Sequence, residues 1–124
     1  LTMATDVMRS GDEMPLVNLT TPMTETIIEM TAKRFGCVGV LSDAGRLVGI
    51  ITDGDLRRNM EDDILAMTAG EVMTPNPKAV SENILTAQVL AMMNENQITT
   101  YFVVTDRIPV GIIHIHDVLR KGLS

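Results

Sequence analysis

Two short polar junctions carry the residues with the clearest chemistry in the sequence. Thr52-Asp53-Gly54-Asp55 and His114-Ile115-His116-Asp117 each follow an apolar stretch and precede a helical pattern. The first turn of a helix offers unpaired backbone N–H groups to a phosphate, and a carboxylate such as Asp55 or Asp117 can accept paired ribose hydroxyls. The pattern therefore predicts a site that binds a phosphorylated sugar or a nucleotide.

Other residues of the junctions fit this interpretation but also fit a plainer one. Thr52 can add a hydroxyl donor, and Gly54 lets a ligand approach the backbone closely. In the plainer interpretation, Thr52 and Asp53 only cap the helix. A basic pair follows each junction and could either offset an anion or lie on an exposed helix face. The two pairs are Arg57 with Arg58 and Arg120 with Lys121.

The second junction differs from the first because it holds both histidines of the chain. If strand geometry persists through His114 and His116, both rings point to one face and can donate to phosphate or carboxylate oxygens. If the helix has already begun, the rings diverge. A His-x-His metal site is a further alternative, with Asp117 or Cys37 as a third ligand, although no spacing in the sequence brings Cys37 close.

The two junctions belong to an internal repeat. Gly111 of the second apolar stretch follows Gly49 of the first by 62 residues (111 − 49). Further upstream, Asp6-Val7-Met8 parallels Glu71-Val72-Met73. Each copy would be marginally stable alone, so we expect the two copies to form an α+β fold as an intimate pseudo-twofold pair.

The hydrophobic pattern predicts the order strand, helix, strand, strand, helix in each copy. In the first copy, Thr21 as N-cap and Pro22 in the first turn predict a helix over about 22–35. In the second copy, Ser81 is the predicted N-cap. The predicted boundaries are 1–61 for the first copy, 62–68 for a linker and 69–124 for the second copy.

Composition excludes several classes of function. A net charge of −6 and a pI of about 4.7 argue against a large basic surface for nucleic acid or membrane. The single cysteine, Cys37, excludes an intramolecular disulfide, and no apolar run reaches the length of a membrane span. We therefore expect a cytoplasmic protein.

Two further features bear on packing and on the extent of the chain. The ten methionines are interpreted as core filler and contact surface. The start at Leu1 suggests a fragment of a longer chain.

The paired stretches Gly-Ile-Ile-x-x-x-Asp resemble a tandem of cystathionine-β-synthase (CBS) domains, also called a Bateman module. More narrowly, residues 49–58 and 111–117 resemble the C-terminal CBS pair of bacterial D-arabinose-5-phosphate isomerases. The resemblance implies an N-terminal sugar-isomerase domain in the parent chain, acting in 3-deoxy-octulosonate (Kdo) and lipopolysaccharide synthesis. It implies that this fragment has no catalytic residues of its own and regulates that domain as part of a homodimer or higher oligomer.

The resemblance also implies a regulatory ligand, either an adenine nucleotide such as AMP or the activated product CMP-Kdo. We favour CMP-Kdo because the two histidines suit an additional anionic group. A module used only for oligomerisation is the alternative from a different class. Ligand-lining residues are expected beyond the junctions, at Pro15, Leu16, Val38 and Gly39 for one cleft, at Thr99, Thr100 and Tyr101 for the other, and at Met73, Thr74 and Pro75, which close the site of the opposite copy.

Overall fold

The computed structural model describes residues 1–121 and divides into two compact units. One unit is Pro15–Pro77. The other joins residues 1–14 to residues 78–121. Among the described residues, no helix has the length and apolar character needed to cross a bilayer.

The unit Pro15–Pro77 is built on a four-stranded sheet of order β1-β2-β3-β4. Strand β1 (Leu16–Asn18) runs parallel to β2 (Cys37–Leu41), whereas β2, β3 (Leu47–Thr52) and β4 (Thr74–Pro75) pair antiparallel. Three α-helices accompany the sheet: α2 (Met23–Lys33), α3 (Asp53–Arg58) and α4 (Ala69–Val72). Apolar side chains of β2, β3, α2 and α4 form its core.

The second unit repeats this plan with a three-stranded sheet of order β5-β6-β7. Strand β5 (Ala79–Ser81) is parallel to β6 (Thr100–Thr105), and β7 (Ile108–His114) is antiparallel to β6. The helices are α1 (Ala4–Val7), α5 (Thr86–Asn96) and α6 (Ile115–Lys121). The predicted order of strand, helix, strand, strand and helix is confirmed in both units.

The starts of the two long helices differ from the predictions. The helix predicted over about 22–35 begins at Met23, with Pro22 in the N-cap position, and ends before Arg34, which adopts a left-handed conformation at φ 67°. The hydroxyl of Thr21 accepts a hydrogen bond from the N–H of Asn18 and so serves the preceding turn. Ser81 ends strand β5, and α5 begins only at Thr86.

The compact units do not coincide with the boundaries of the sequence repeat. Residues 1–14 belong to the unit of the second copy, although they open the first copy in sequence. The predicted linker 62–68 contains a 3-10 turn at Ile64–Ala66, and its side chains Ile64 and Met67 pack against the core of the unit Pro15–Pro77. The two copies therefore exchange their N-terminal segments.

Each exchanged segment is fixed by a methionine that lies on a strand glycine. A Cβ atom added at Gly49 would lie 2.1 Å from the sulfur of Met73, and one added at Gly111 would lie 2.2 Å from the sulfur of Met8. Neither glycine needs a left-handed backbone. They are required because a larger side chain would push the methionine, and the segment that carries it, off the sheet.

We expect Gly49→Ala to destabilise the protein by about 1–3 kcal/mol, because the new methyl group overlaps Met73. Gly54→Ala is the matched control. A Cβ there would meet nothing closer than the Thr52 hydroxyl at 3.5 Å, so the helix should be unchanged or stabilised by up to about 1 kcal/mol. Urea denaturation of both variants tests the prediction, and equal effects would contradict it.

Candidate functional site

The first junction places a buried carboxylate among polar partners. Strand β3 ends at Thr52 and α3 begins at Asp53, so Asp55 lies in the first helical turn. Its Oδ2 accepts a hydrogen bond from the N–H of Thr52 at 2.8 Å, which caps the helix. Only 1% of Asp55 is exposed, so polar partners such as this N–H are needed to stabilise the buried carboxylate.

The second oxygen of Asp55 is held by Thr74 and Arg58. The Thr74 hydroxyl donates to Oδ1 at 2.5 Å, and the Arg58 guanidinium pairs with the same oxygen while also donating to the Thr74 hydroxyl at 3.1 Å. Thr74 reaches Asp55 because β4 pairs with β3, with Thr74 opposite Ile50. The side chain of Arg58 is 63% exposed, so it lies between the carboxylate and the solvent and covers the carboxylate.

The second junction holds its carboxylate differently. Arg9 forms a bidentate ion pair with Asp117. Its Nε donates to Oδ2 and its Nη2 donates to Oδ1, both at 3.0 Å. Arg120 also pairs with Oδ1, as Arg58 does with Asp55. Arg9 makes a further ion pair with Glu13 at 3.0 Å. The hydrogen bonds from Arg9 hold the pKa of Asp117 below its usual range, and the charges of Arg120 and Lys121 act in the same direction.

The two histidines are close together although the helix has begun between them. His114 ends β7, α6 starts at Ile115, and the ring centroids of His114 and His116 lie 4.6 Å apart with the planes at 61°. The N–H of His116 donates to Nδ1 of His114 at 3.1 Å. The expectation that a helical start would make the rings diverge is therefore wrong.

Burial lowers the pKa of His114, and the neighbouring His116 adds to that effect. A neutral His114 fits the hydrogen bond that its Nδ1 accepts. His116 is exposed. The pair is therefore a neutral ring beside an accessible one, and it is suited to hydrogen bonding.

Comparison with known proteins places this geometry in a family. The family model for the CBS domain matches residues 4–62 and 69–124. The chain belongs to the CBS domain family. The resemblance to the CBS pair of arabinose 5-phosphate isomerases is also confirmed: the chain is 43% identical to arabinose 5-phosphate isomerase KdsD of Pseudomonas aeruginosa over 95% of its residues, which is 37% of that enzyme's length.

Solved CBS structures share the fold over almost the whole chain. The crystal structure of Hypoxic Response Protein I with two coordinated zinc ions is 27% identical, with a TM-score of 0.82, and the match covers 97% of this chain and 98% of that one. CBSX2 in complex with AMP is 22% identical, with a TM-score of 0.85, and the match covers 99% of this chain and 97% of that one. The second likeness establishes the fold alone.

Several of the predicted lining residues do come together within a unit of this CBS pair. Leu16 pairs with Gly39, whose N–H donates to the carbonyl of Pro15 at 2.8 Å. In the other unit, Thr100 pairs with His114, and the carbonyl of Thr99 accepts a hydrogen bond from the N–H of Ile115. In the second unit, the start of β6 thus contacts the junction directly, whereas Pro15, Leu16 and Gly39 of the first unit contact one another at β1 and β2.

Two predicted residues have side chains that serve the cores. Val38 is fully buried, and the hydroxyl of buried Tyr101 accepts a hydrogen bond from the Asn96 amide at 3.0 Å. Neither side chain is therefore accessible to a ligand. In addition, Thr74 and Pro75 form β4, which pairs with β3, and the side chain of Met73 packs against Gly49. This predicted segment therefore closes on the junction of the first copy.

Sequence reasoning missed Arg9. The signal was present, because Asp6-Val7-Met8 aligns with Glu71-Val72-Met73 and the next residues in the two copies are Arg9 and Thr74. Extending the repeat by one residue would have placed Arg9 at the Asp117 junction, where Thr74 stands at the Asp55 junction.

The structure gives little support to a metal site built by the histidines. Among residues 1–121, no group of three or more His, Cys, Asp or Glu side chains is arranged to hold a metal ion. Cys37, the proposed third ligand, lies in the core of β2, where burial raises the pKa of its thiol to about 12. A thiol in that state is a poor nucleophile and a poor ligand.

The Arg9–Asp117 pair should make stability depend on pH. Because the pKa of Asp117 is lowered in the folded state, the pair stabilises the fold fully above the unfolded value of about 3.9 and loses its effect as pH falls through the folded pKa. We expect Arg9→Thr to lower the free energy of unfolding at pH 6 by more than at pH 3. Urea denaturation at both pH values measures the difference.

Glu13→Gln serves as the control for that experiment. It removes only the exposed partner of Arg9, and an exposed ion pair contributes about 0–1 kcal/mol. The Asp117 carboxyl signal in NMR should titrate at an unchanged pH in this variant and at a higher pH in Arg9→Thr. An unshifted Asp117 titration in Arg9→Thr would refute the assignment.

Proposed function

We propose that this CBS pair is the ligand-sensing regulatory module of an arabinose 5-phosphate isomerase and that it binds a nucleotide or a nucleotide sugar. The observation that carries the proposal is the buried carboxylate of Asp55, held beside the hydroxyls of Thr52 and Thr74 and covered by the exposed Arg58. A ribose diol can replace the partners on Oδ1, and a phosphate can pair with Arg58.

The relatives support the proposed setting. The chain spans little more than a third of the KdsD enzyme it matches, so the sugar-isomerase domain and its reaction in the Kdo and lipopolysaccharide pathway are assigned to the rest of the parent protein. CBSX2, which has the same fold, binds AMP. The proposal places the module in the cytoplasm with its nucleotide ligand, and it assigns no catalysis to this chain.

We favour CMP-Kdo over AMP as the regulatory ligand. CMP-Kdo offers a ribose, a phosphodiester and an additional carboxylate, and the module has cationic or hydrogen-bonding groups to match them. In the unit Pro15–Pro77, Asp55 suits the ribose and Arg58 suits an anion. In the other unit, the His114 and His116 rings suit a carboxylate. A product of the pathway bound in this way would make the module a feedback sensor.

The regulation would be allosteric. A ligand can bias the linked domain only through its different affinities for two states of the module. A tenfold change in activity requires a difference of about 1.4 kcal/mol, which one charge-assisted hydrogen bond can supply. The proposal therefore needs only a small difference between the two states in the contacts that Asp55 makes with the ligand.

Isothermal titration of the chain with CMP-Kdo and with AMP tests the proposal, and Asp55→Asn provides the decisive variant. Loss of a charged acceptor for ribose hydroxyls should weaken binding by about 10- to 100-fold. Asp43→Asn is the matched control, because it removes an equal charge from an exposed turn of the same unit. Binding of AMP without CMP-Kdo would refute the preference, and binding of neither would refute the sensor.

The same titrations with EDTA and with added zinc address the metal alternative. Hypoxic Response Protein I coordinates zinc on this fold, which justifies the comparison. Zinc binding that is lost in the double variant His114→Ala, His116→Ala would support the His-x-His site.

Oligomerisation is a second candidate function, favoured by exposed apolar side chains in the unit Pro15–Pro77. Ile28, Met60 and Leu65 are 69%, 71% and 57% exposed. Exposed apolar side chains mark contacts with another chain where they form a contiguous patch. Met60 follows α3, the helix whose face carries Arg57 and Arg58.

If that face forms a homodimer, Met60→Lys should weaken self-association at least tenfold, because each partner loses a buried apolar contact and gains a charge. Analytical ultracentrifugation over a range of concentrations measures the effect. Leu119→Lys, at an exposed apolar position of the other unit, is the control and should leave the dimer constant unchanged. Equal effects of the two variants would argue against this face.

A further inference from the structure

We infer that Arg9 determines the specificity of the second junction: it occupies the Asp117 carboxylate as an internal ligand, so a neutral ribose diol binds at Asp55 and is refused at Asp117. The inference rests on the proposed function, since it assigns the nucleoside to one of two related junctions. It makes the two copies of the repeat inequivalent in what they bind.

The register of the two sheets shows that Arg9 and Thr74 occupy equivalent places. Thr74 pairs with Ile50 on β3, and Arg9 forms a bridge with Ile112 on β7. Ile50 and Ile112 each follow the glycine that receives a methionine, Gly49 in one copy and Gly111 in the other. One structural position therefore carries a hydroxyl at the first junction and a guanidinium at the second.

The two side chains differ in what a ligand must replace. The Thr74 hydroxyl is neutral and makes one hydrogen bond to Asp55, so a ribose hydroxyl can take its place like for like. Arg9 makes two charge-assisted hydrogen bonds to Asp117 in a planar fork. A neutral diol that displaced it would exchange two charge-assisted bonds for weaker ones and leave a guanidinium without its buried partner.

Arg9 is also held in place from its backbone. Its N–H donates to the carbonyl of Ile112, and its own carbonyl accepts from the N–H of Ile112, both at 2.8 Å. Glu13 holds the outer Nη1. These contacts hold the guanidinium where it meets Asp117, and they reduce the freedom of the side chain to swing away.

The other arginines do not account for the difference. Arg58 and Arg120 stand three residues after their respective aspartates, pair with the same oxygen, and are 63% and 59% exposed. Because this cover is the same at both junctions, it cannot distinguish them. The presence of threonine in one copy and arginine in the other, at the position of Thr74 and Arg9, can distinguish them.

Adenosine, which has a ribose diol and no charge, is the probe. In ¹⁵N NMR titrations of the whole chain, we expect adenosine to shift the amides of residues 52–55 and to leave those of residues 114–117 unchanged. Arg9→Thr, which copies Thr74, should open the second junction, so that residues 114–117 also shift with an affinity within about tenfold of the first. Arg46→Thr, an equal charge change at an exposed turn, should behave as the wild type.

Arg9→Lys provides a second variant in case Arg9→Thr folds poorly. It keeps the charge and loses the bidentate fork, so residues 114–117 should respond to adenosine more strongly than in the wild type. Equal shifts at both junctions in the wild type would overturn the inference. So would the absence of any response at residues 114–117 in every folded variant.

The two readouts separate this inference from the proposed function. If residues 52–55 do not respond to adenosine, AMP or CMP-Kdo, the sensor proposal fails at Asp55, whatever happens at the second junction. If residues 52–55 respond and Arg9→Thr leaves residues 114–117 silent, the sensor proposal stands and the role of Arg9 is wrong. A response at residues 114–117 that depends on Arg9→Thr supports the role of Arg9 in either case.

Discussion

A buried negative charge at the end of the last long strand of each unit constrains the rest of the structure. Asp55 and Asp117 are only 1% and 3% exposed, and a carboxylate so far from water must be met by hydrogen-bond donors or cations. The nearest helix supplies an arginine in each case. A further donor comes from the exchanged N-terminal segment, Thr74 in one unit and Arg9 in the other.

Each exchanged segment helps to meet this requirement. In each unit, a short extended stretch pairs with the last long strand and brings a donor to the carboxylate. Gly49 and Gly111 keep the strand free of side chains at that point, and Met73 and Met8 fill the resulting space. Packing and electrostatics therefore depend on the same few residues of each segment.

Local pattern was enough to predict much of this arrangement. The repeat, the order of elements and the two junctions all follow from apolar periodicity and from polar residues at strand ends, which are properties of neighbours in sequence. The exchange of residues 1–14 could not be predicted in this way, because it depends on which sheet edge a short segment meets. The start of α5 was misplaced for a related reason: the N–H of Thr86 is bonded to the carbonyl of Thr2, a partner far away in sequence.

The same distinction applies within the candidate site. Asp55, Thr52 and Arg58 are recognisable from the sequence because they lie within one stretch of seven residues, 52–58, whereas Arg9 lies 108 residues from Asp117. Duplication first gives two copies the same carboxylate and the same structural place for its partner. A single difference at that place, hydroxyl in one copy and guanidinium in the other, then suffices to change what each carboxylate can accept, because a buried anion has room for few partners. In a duplicated module of this kind, functional asymmetry is therefore to be sought in the residues that contact the shared aspartate from the exchanged segment, as well as in the junctions themselves.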